Sequence, residues 1–451
     1  VLDLEVGAVA HGGHCVARHG ERVVFLRHAL PGELVRARVT EDRGGSFCRA
    51  DAIEILRPSA DRVTPPCPYS GPASCGGCDF QHVEPEVQRG WKAMVVREQL
   101  TRLGGLAEPE LDRLGLGPGA VAEALPGGSL GWRTRVRYAV DENGTAGLHP
   151  HRSAEVVPVQ RCLLATDAVA SVEVLSGRWP EVSSVEVVAS SAGDTAVLVD
   201  SDVPGGARDA LRGGATQRLW PDGVALLDSA GHGPARAVRG HARVRERAAE
   251  RIWLVHASGF WQVHPAAADT LVTAVRQLLE PGQDDRILDL YAGVGLFAGA
   301  LAPLAGPGGR VDMVESDRAA CSDARRNLRD LPGVFVHSSR VDVWLRKSSP
   351  QADLVVLDPP RSGAGAEVIS RVLTGQWGRS GSAPLGWRPP RRVVYVACDP
   401  ASLARDVAVA TALGWELSAL RVLDLFPMTH HLECVALFRP PAPSRVPSKA
   451  E

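Results

Sequence analysis

The sequence predicts an α/β protein: a mostly parallel, helix-covered sheet toward the C-terminus, preceded by a small β-barrel and a central, mostly antiparallel α+β domain. Three observations predict it. From about Arg251, apolar strand-like runs alternate with helix-like runs (RILDLYAGVG, VDMVESD, DRAACSDARRNLRD, ADLVVLDPPR, RRVVYVACDP, SLARDVAVATAL), as in a parallel sheet covered on both faces. From Leu4 to about Arg57, short Val-rich runs alternate with turns such as Gly12-Gly13 and Gly44-Gly45, the pattern of a small barrel. Between about Leu130 and His241, the pieces RVRYAV, SVEVVAS and TAVLVD are separated by Gly and Pro, consistent with antiparallel strands.

In chain order, the barrel is expected over residues 1–58 and the central domain over 59–90 and 126–245. A helical linker, opened by GWKAMVVREQLTRL and broken at Gly104-Gly105, is expected over 91–125, and the α/β domain over 250–440. The Gly/Ser/Pro-rich stretch GQWGRSGSAPLGWRPP reads as a surface loop and the tail RPPAPSRVPSKAE as disordered. No internal repeat is evident.

A chain of 451 residues has room for two or three domains, which excludes a single small binding module. The 50 Lys+Arg against 52 Asp+Glu give a net charge of -2, so the whole-chain charge does not announce a nucleic-acid partner. The basic residues are almost all arginine, with lysine only at Lys92, Lys347 and Lys449. Arginine suits bidentate work on phosphates and bases, although a G+C-rich coding sequence produces the same skew. No run approaches the roughly 18 to 20 apolar residues that span a bilayer, and VLDLEVGAVAHGG lacks the basic and apolar regions of a signal peptide. A cytoplasmic protein with no membrane partner is expected. Nine cysteines are too sparse for a disulfide scaffold, yet Cys67, Cys75 and Cys78 crowd together, which points to metal chemistry.

Asp289-Leu-Tyr291-Ala-Gly293-Val-Gly295 follows the apolar strand RILDL, so its glycines let the backbone turn tightly beneath an adenosyl group. Glu315 ends the next strand, where a carboxylate accepts hydrogen bonds from ribose hydroxyls. A dinucleotide fits similar geometry, but Ala298 stands where its fingerprint needs a third glycine. The looser turn suits S-adenosylmethionine better.

Cys398 follows the strand RRVVYVA and precedes Asp399-Pro400, a cap and first residue for the next helix. A thiol at a positive helix end is expected to favour thiolate; a buried packing cysteine is the competing reading. Asp358 closes a strand in LDPPR, and Pro359-Pro360 hold that strand end rigid; a simple turn signal competes. In Phe426-Pro-Met-Thr-His430-His431-Leu-Glu433, the two histidines should point to opposite faces of an extended segment. This disfavours a shared metal and leaves Glu433 as the acid-base candidate.

Together GFWQVHP, DLYAGVGLF, VESD, DPPR, ACDPASLARD and LFPMTHHLE make the sequence resemble the TrmA/RumA type of RNA 5-methyluridine methyltransferase along nearly the whole chain. The resemblance implies a Rossmann-like methyltransferase domain, a central domain and an N-terminal TRAM barrel that binds RNA. It implies Gln262, Tyr291, Glu315 and Asp358 around the methyl donor or target base, with Gly293 and Gly295 in the donor turn. Cys398 is then the nucleophile and Glu433 the proton acceptor. His264 stands where the family commonly has Asn in F-x-Q-x-N.

The chemistry agrees with these roles: thiolate attack at C6 of uracil raises electron density at C5, and a base must later remove the C5 proton. A structured RNA, rRNA or tRNA, with a flipped-out uridine is the implied partner, and no obligate protein partner is predicted. Arg133, Arg135, Arg137 and Arg152 are candidates for phosphate contact or are ordinary solvated arginines. Cys67, Cys75, Cys78 and Cys162 supply four thiolates, enough for zinc or an iron-sulfur cluster. CGGCDFQH resembles the family's [4Fe-4S] site, with a longer first interval. Cys15, Cys48, Cys321 and Cys434 are expected to be packing residues. Cytosine-C5 methylation of RNA, or an RNA-binding or RNA-folding protein whose methyltransferase domain is secondary, are the competing functions.

Overall fold

The computed structural model describes residues 1–212, 223–229, 234–348, 350–376, 383 and 385–441. The expected disordered tail from 442 onward, with Lys449, and part of the expected surface loop (377–382 and 384) lie outside them. Two compact units emerge. The first comprises Val1–Val95, Gly119–Thr270 and Val422–Leu432; the second comprises Val96–Pro118, Leu271–Arg421 and Glu433–Glu451. The divisions therefore differ from those expected from sequence. The helix Pro85–Arg102 starts inside the expected central segment and runs across the boundary, and Val422–Leu432 groups with the first unit.

The first unit opens with a closed five-stranded barrel of Leu2–Ala10, His14–His19, Arg22–Arg27, Leu34–Glu41 and Phe47–Arg57. Alternation puts Leu4, Val6, Val24, Leu26, Val35, Ala37 and Ala50 inside. The first unit also holds a six-stranded sheet whose core gathers Trp179, Val185, Val187, Val197 and Val199, and a hairpin of Arg243–Ala248 with Arg251–His256. The six-stranded sheet is antiparallel except where Thr195–Asp200 runs parallel to Ala225–Asp228. That exception is absent from the sequence reading, because a crossover leaves no mark on strand periodicity.

The second unit is built on a sheet ordered Val334–Ser338, Arg310–Glu315, Arg286–Leu290, Leu354–Leu357, Arg392–Ala397, Glu433–Arg439 and Glu416–Asp424. The first five strands are parallel, and Glu433–Arg439 runs antiparallel to Arg392–Ala397. Strand order reverses between Arg286–Leu290 and Leu354–Leu357, so the crevice beyond their carboxyl ends is where an open α/β sheet takes ligands. The helix Arg318–Asn327 is capped by Asp317, which accepts from the amides of Ala319 and Ala320, and Pro400–Ala412 is capped by Asp399. Among the described residues, no helix is long and apolar enough to cross a membrane.

Candidate active site

In the second unit, the strand Arg286–Leu290 ends in a turn whose backbone dictates its residues. Gly293 and Gly295 both have positive φ, and a Cβ on Gly295 would come within 2.6 Å of the Leu328 side chain. At Gly293 nothing lies within 4 Å of that position, so the backbone there borders open room. Tyr291 also adopts φ +64 and donates its amide to Val314 O at 3.0 Å. Glu315 Oε2 accepts from the Gly293 amide at 3.0 Å, while Oε1 accepts from the Asp317 amide at 2.7 Å. The carboxylate thus closes the glycine turn onto the end of the next strand. Asp289 is completely buried, and its Oδ2 accepts from the Ala298 amide at 2.8 Å while Oδ1 has no partner. Burial pushes this carboxyl up to about 7, with Asp358 and Glu315 adding repulsion.

The placement of Cys398 and Glu433 comes from sheet register. Ala397 pairs with Cys434 across antiparallel strands, so the next residues outward, Cys398 and Glu433, sit side by side, about 5 Å apart at Cα. Asp358 ends the strand that neighbours Arg392–Ala397 on its other side. Glu433 is buried, and burial, then Asp358, hold its carboxyl well above the usual carboxylate range. Burial, then Glu433 and Asp358, push the Cys398 thiol up to about 11. The thiolate expected from the helix N-terminus is therefore corrected. The dipole of Pro400–Ala412 is outweighed by desolvation and two carboxyl groups, and the resting site holds a thiol. Burial and Glu315 likewise raise Asp358 to about 7. Arg361, quoted in DPPR but given no role from sequence, opposes the shifts of both Cys398 and Glu433.

Unit 2 thus gathers Asp289, Tyr291, Gly293, Gly295, Glu315, Asp358, Cys398 and Glu433 at the carboxyl edge of one sheet, whereas Gln262 belongs to unit 1. Two family models match the chain: a TRAM domain over residues 1–52 and a methyltransferase small domain over residues 264–374. The chain is 46% identical over 444 residues, 98% of each sequence, to an "Uncharacterized RNA methyltransferase" of Streptomyces avermitilis. It is 31% identical to the 23S rRNA (uracil(1939)-C(5))-methyltransferase RlmD of Shewanella baltica, across 97% of this chain and 95% of that one. The chain belongs to the RNA 5-methyluridine methyltransferase family. The crystal structure of Pyrococcus abyssi tRNA (uracil-54, C5)-methyltransferase in complex with S-adenosyl-L-homocysteine shares the fold, with a TM-score of 0.67 at 21% identity, over 96% of this chain and 99% of that one.

Where this methyltransferase departs from the family phrase F-x-Q-x-N, His264 is buried, stacked on Trp132 at 5.8 Å, and accepts from the Ala266 amide through Nδ1. Burial lowers its pKa, which favours the neutral ring. His430 and His431 do not point to opposite faces: their ring centroids lie 4.1 Å apart, in a turn after Met428 at φ +67. His430 Nδ1 is engaged by Asp79 at 2.6 Å. Of the arginines proposed for phosphate, Arg135 pairs with Glu186, Arg137 with Asp200 and Arg152 with Glu41, while Arg133 Nε is buried without a hydrogen-bond partner.

The four cysteines come into one neighbourhood of unit 1. Cys162 and Cys67 both contribute to raising Cys75, and Cys162 and Cys75 to raising Cys78, after burial in each case. Gln81 donates to Cys78 Sγ at 3.1 Å and accepts from the Cys67 amide at 3.1 Å. Among the described residues, however, no group of three or more His, Cys, Asp or Glu side chains is arranged to hold a metal ion. The reaction below uses no [4Fe-4S] group.

Proposed function

We propose that this enzyme transfers a methyl group from S-adenosylmethionine to C5 of a uridine in structured RNA, rRNA or tRNA. The observation that carries the proposal is the register that sets Cys398 beside Glu433 at the same edge of the sheet as the glycine turn. Support for RNA comes from the TRAM match and from relatives named as RNA methyltransferases.

The residues fit the donor: the open face of Gly293, the positive-φ Gly295, Tyr291 and the Glu315 carboxylate make a turn that can receive an adenosyl group, and Gln262 is assigned to it by motif. When bound, the donor supplies an electrophilic methyl group on a sulfonium whose positive charge favours ionised carboxylates and thiolate nearby. Arg361 biases Cys398 toward ionisation, and Asp358, poised near neutrality, holds the edge of a flipped-out base. The Cys398 Sγ adds to C6 of the uracil, which makes C5 nucleophilic. Once C5 carries the methyl group, the Glu433 carboxylate takes the C5 proton and the C6–Sγ bond breaks, returning the thiolate. Burial of Glu433 raises its affinity for that proton, as a base acting on carbon requires.

The test is incubation with labelled S-adenosylmethionine and total RNA from a strain lacking this gene, followed by nucleoside analysis. Label in 5-methyluridine is expected. Label in 5-methylcytidine would transfer the mechanism to cytosine, and label in neither would refute the methyltransferase reading.

A further inference from the structure

Tyr395 and Asp406 are both buried in unit 2, and neither is used by the reaction above. Asp406 lies on the helix Pro400–Ala412, seven residues after its cap Asp399, and so faces the same side two turns on. Its Oδ2 accepts from the Tyr395 hydroxyl at 2.7 Å and from the Ala364 amide at 2.9 Å, and its Oδ1 accepts from the Gly365 amide at 3.2 Å. The Ala364 amide also reaches the Tyr395 oxygen at 3.1 Å.

These amides belong to the loop that continues directly from Asp358-Pro-Pro-Arg361. Gly365 is the N-cap of the helix Ala366–Thr374 and supplies no side-chain cap. From another helix, Asp406 accepts from the two amides that lead into this one, those of Ala364 and Gly365. Close packing reinforces the contact: a Cβ on Gly363, at φ +87, would sit 2.9 Å from Asp406 Oδ2 and 3.2 Å from Ser402 Cβ. The Gly363 amide donates to Pro360 O at 2.8 Å, so the loop folds back onto the DPPR strand end. One carboxylate therefore joins the segment carrying Asp358 and Arg361 to the helix that starts two residues after Cys398, and Tyr395 anchors it from the strand that delivers Cys398.

We propose that Asp406 is a positioning residue: with Tyr395 it clamps the loop after DPPR, and so fixes Asp358 and Arg361 relative to Cys398. This rests on the methyl-transfer reading, and the two are tested separately. Asp406→Asn weakens the acceptor for three donors without changing side-chain size. It is expected to lower kcat for RNA methylation by about 10- to 100-fold, the usual cost of a small misplacement of reacting groups, with little change in KM for the methyl donor. Amide hydrogen exchange should accelerate at 363–365 and not across the sheet. Tyr395→Phe, which keeps the carboxylate and the core packing, should give the same local acceleration with a smaller fall in kcat. Wild-type kcat in Asp406→Asn, or exchange accelerated throughout the sheet in both variants, would overturn the clamp. A wild-type protein that makes no methylated nucleoside would refute the functional reading instead, and the exchange measurement would then decide the clamp on its own.

Discussion

Cys398 and Glu433 are neighbours across two antiparallel strands, one residue beyond the Ala397–Cys434 register pair. Main-chain pairing sets their separation, so a side-chain change at either position leaves the other in place. Cys398→Ala is accordingly expected to reduce RNA methylation by at least about 10³-fold, as loss of a covalent nucleophile does. Donor affinity, measured by calorimetry, should stay within a small factor of wild type. Residual methylation near the wild-type rate would remove the nucleophile assignment.

The pH dependence follows from the charge around that pair. Cys398 is held up at about 11 by burial and by Glu433 and Asp358, against the opposing charge of Arg361. Arg361→Ala should therefore move the alkaline rise of kcat/KM to higher pH and lower the rate near neutrality. An unshifted profile, measured between pH 6 and 10, as a rough working range for thiol titration, would separate Arg361 from the thiol.

Asp289 provides a stability test with a definite sign. Its folded pKa is raised from 3.8 to about 7, so its neutral form is the one the fold accommodates. Its contribution is full below the unfolded value and is lost as pH rises through about 7. Asp289→Asn, which keeps an acceptor for the Ala298 amide, should gain on wild type by up to about 1.4 kcal/mol per pH unit between the unfolded value of 3.8 and about 7, and the gain should level off above that. The advantage should vanish at acid pH. Chemical unfolding at a series of pH values reads this difference directly, and a constant offset would contradict it.

Lys92 is buried against Asp424 at 2.5 Å and also donates to Phe426 O at 3.0 Å. Lys92→Met leaves an uncompensated buried carboxylate and should cost about 3–5 kcal/mol in unfolding experiments. Removing both partners, in Lys92→Met with Asp424→Leu, should recover most of that loss. A double variant as unstable as the single one would show that the pair itself is not the source.

The strand ends that carry Glu315, Asp358 and Cys398 were legible because continuous apolar runs announce buried parallel strands, and each of these runs stops at a polar residue. Asp399-Pro400 was legible as a cap, and Asp399 Oδ1 does accept from the Ser402 amide at 2.7 Å. The ionisation of Cys398 was not legible: local sequence shows the helix dipole, whereas burial and the carboxyl groups of residues 40 and 35 positions away decide the outcome. The Lys92–Asp424 and His430–Asp79 pairs join residues more than 300 positions apart, and no periodicity encodes such meetings. Asp406 was hidden for the same reason, reading as one polar position in a helix until the amides of Ala364 and Gly365 are placed against it.

The central claim is that Cys398 bonds to the base and Glu433 releases it. Glu433→Gln should still permit the addition of Cys398 while slowing loss of the C5 proton. Incubated with S-adenosylmethionine and RNA from a strain lacking the gene, then digested with nuclease and protease, it is expected to yield a methylated uridine nucleotide bound to the peptide containing Cys398, identified by mass spectrometry. A nucleotide on another residue, or no adduct from a variant that has lost turnover and still binds donor and RNA, would contradict the account.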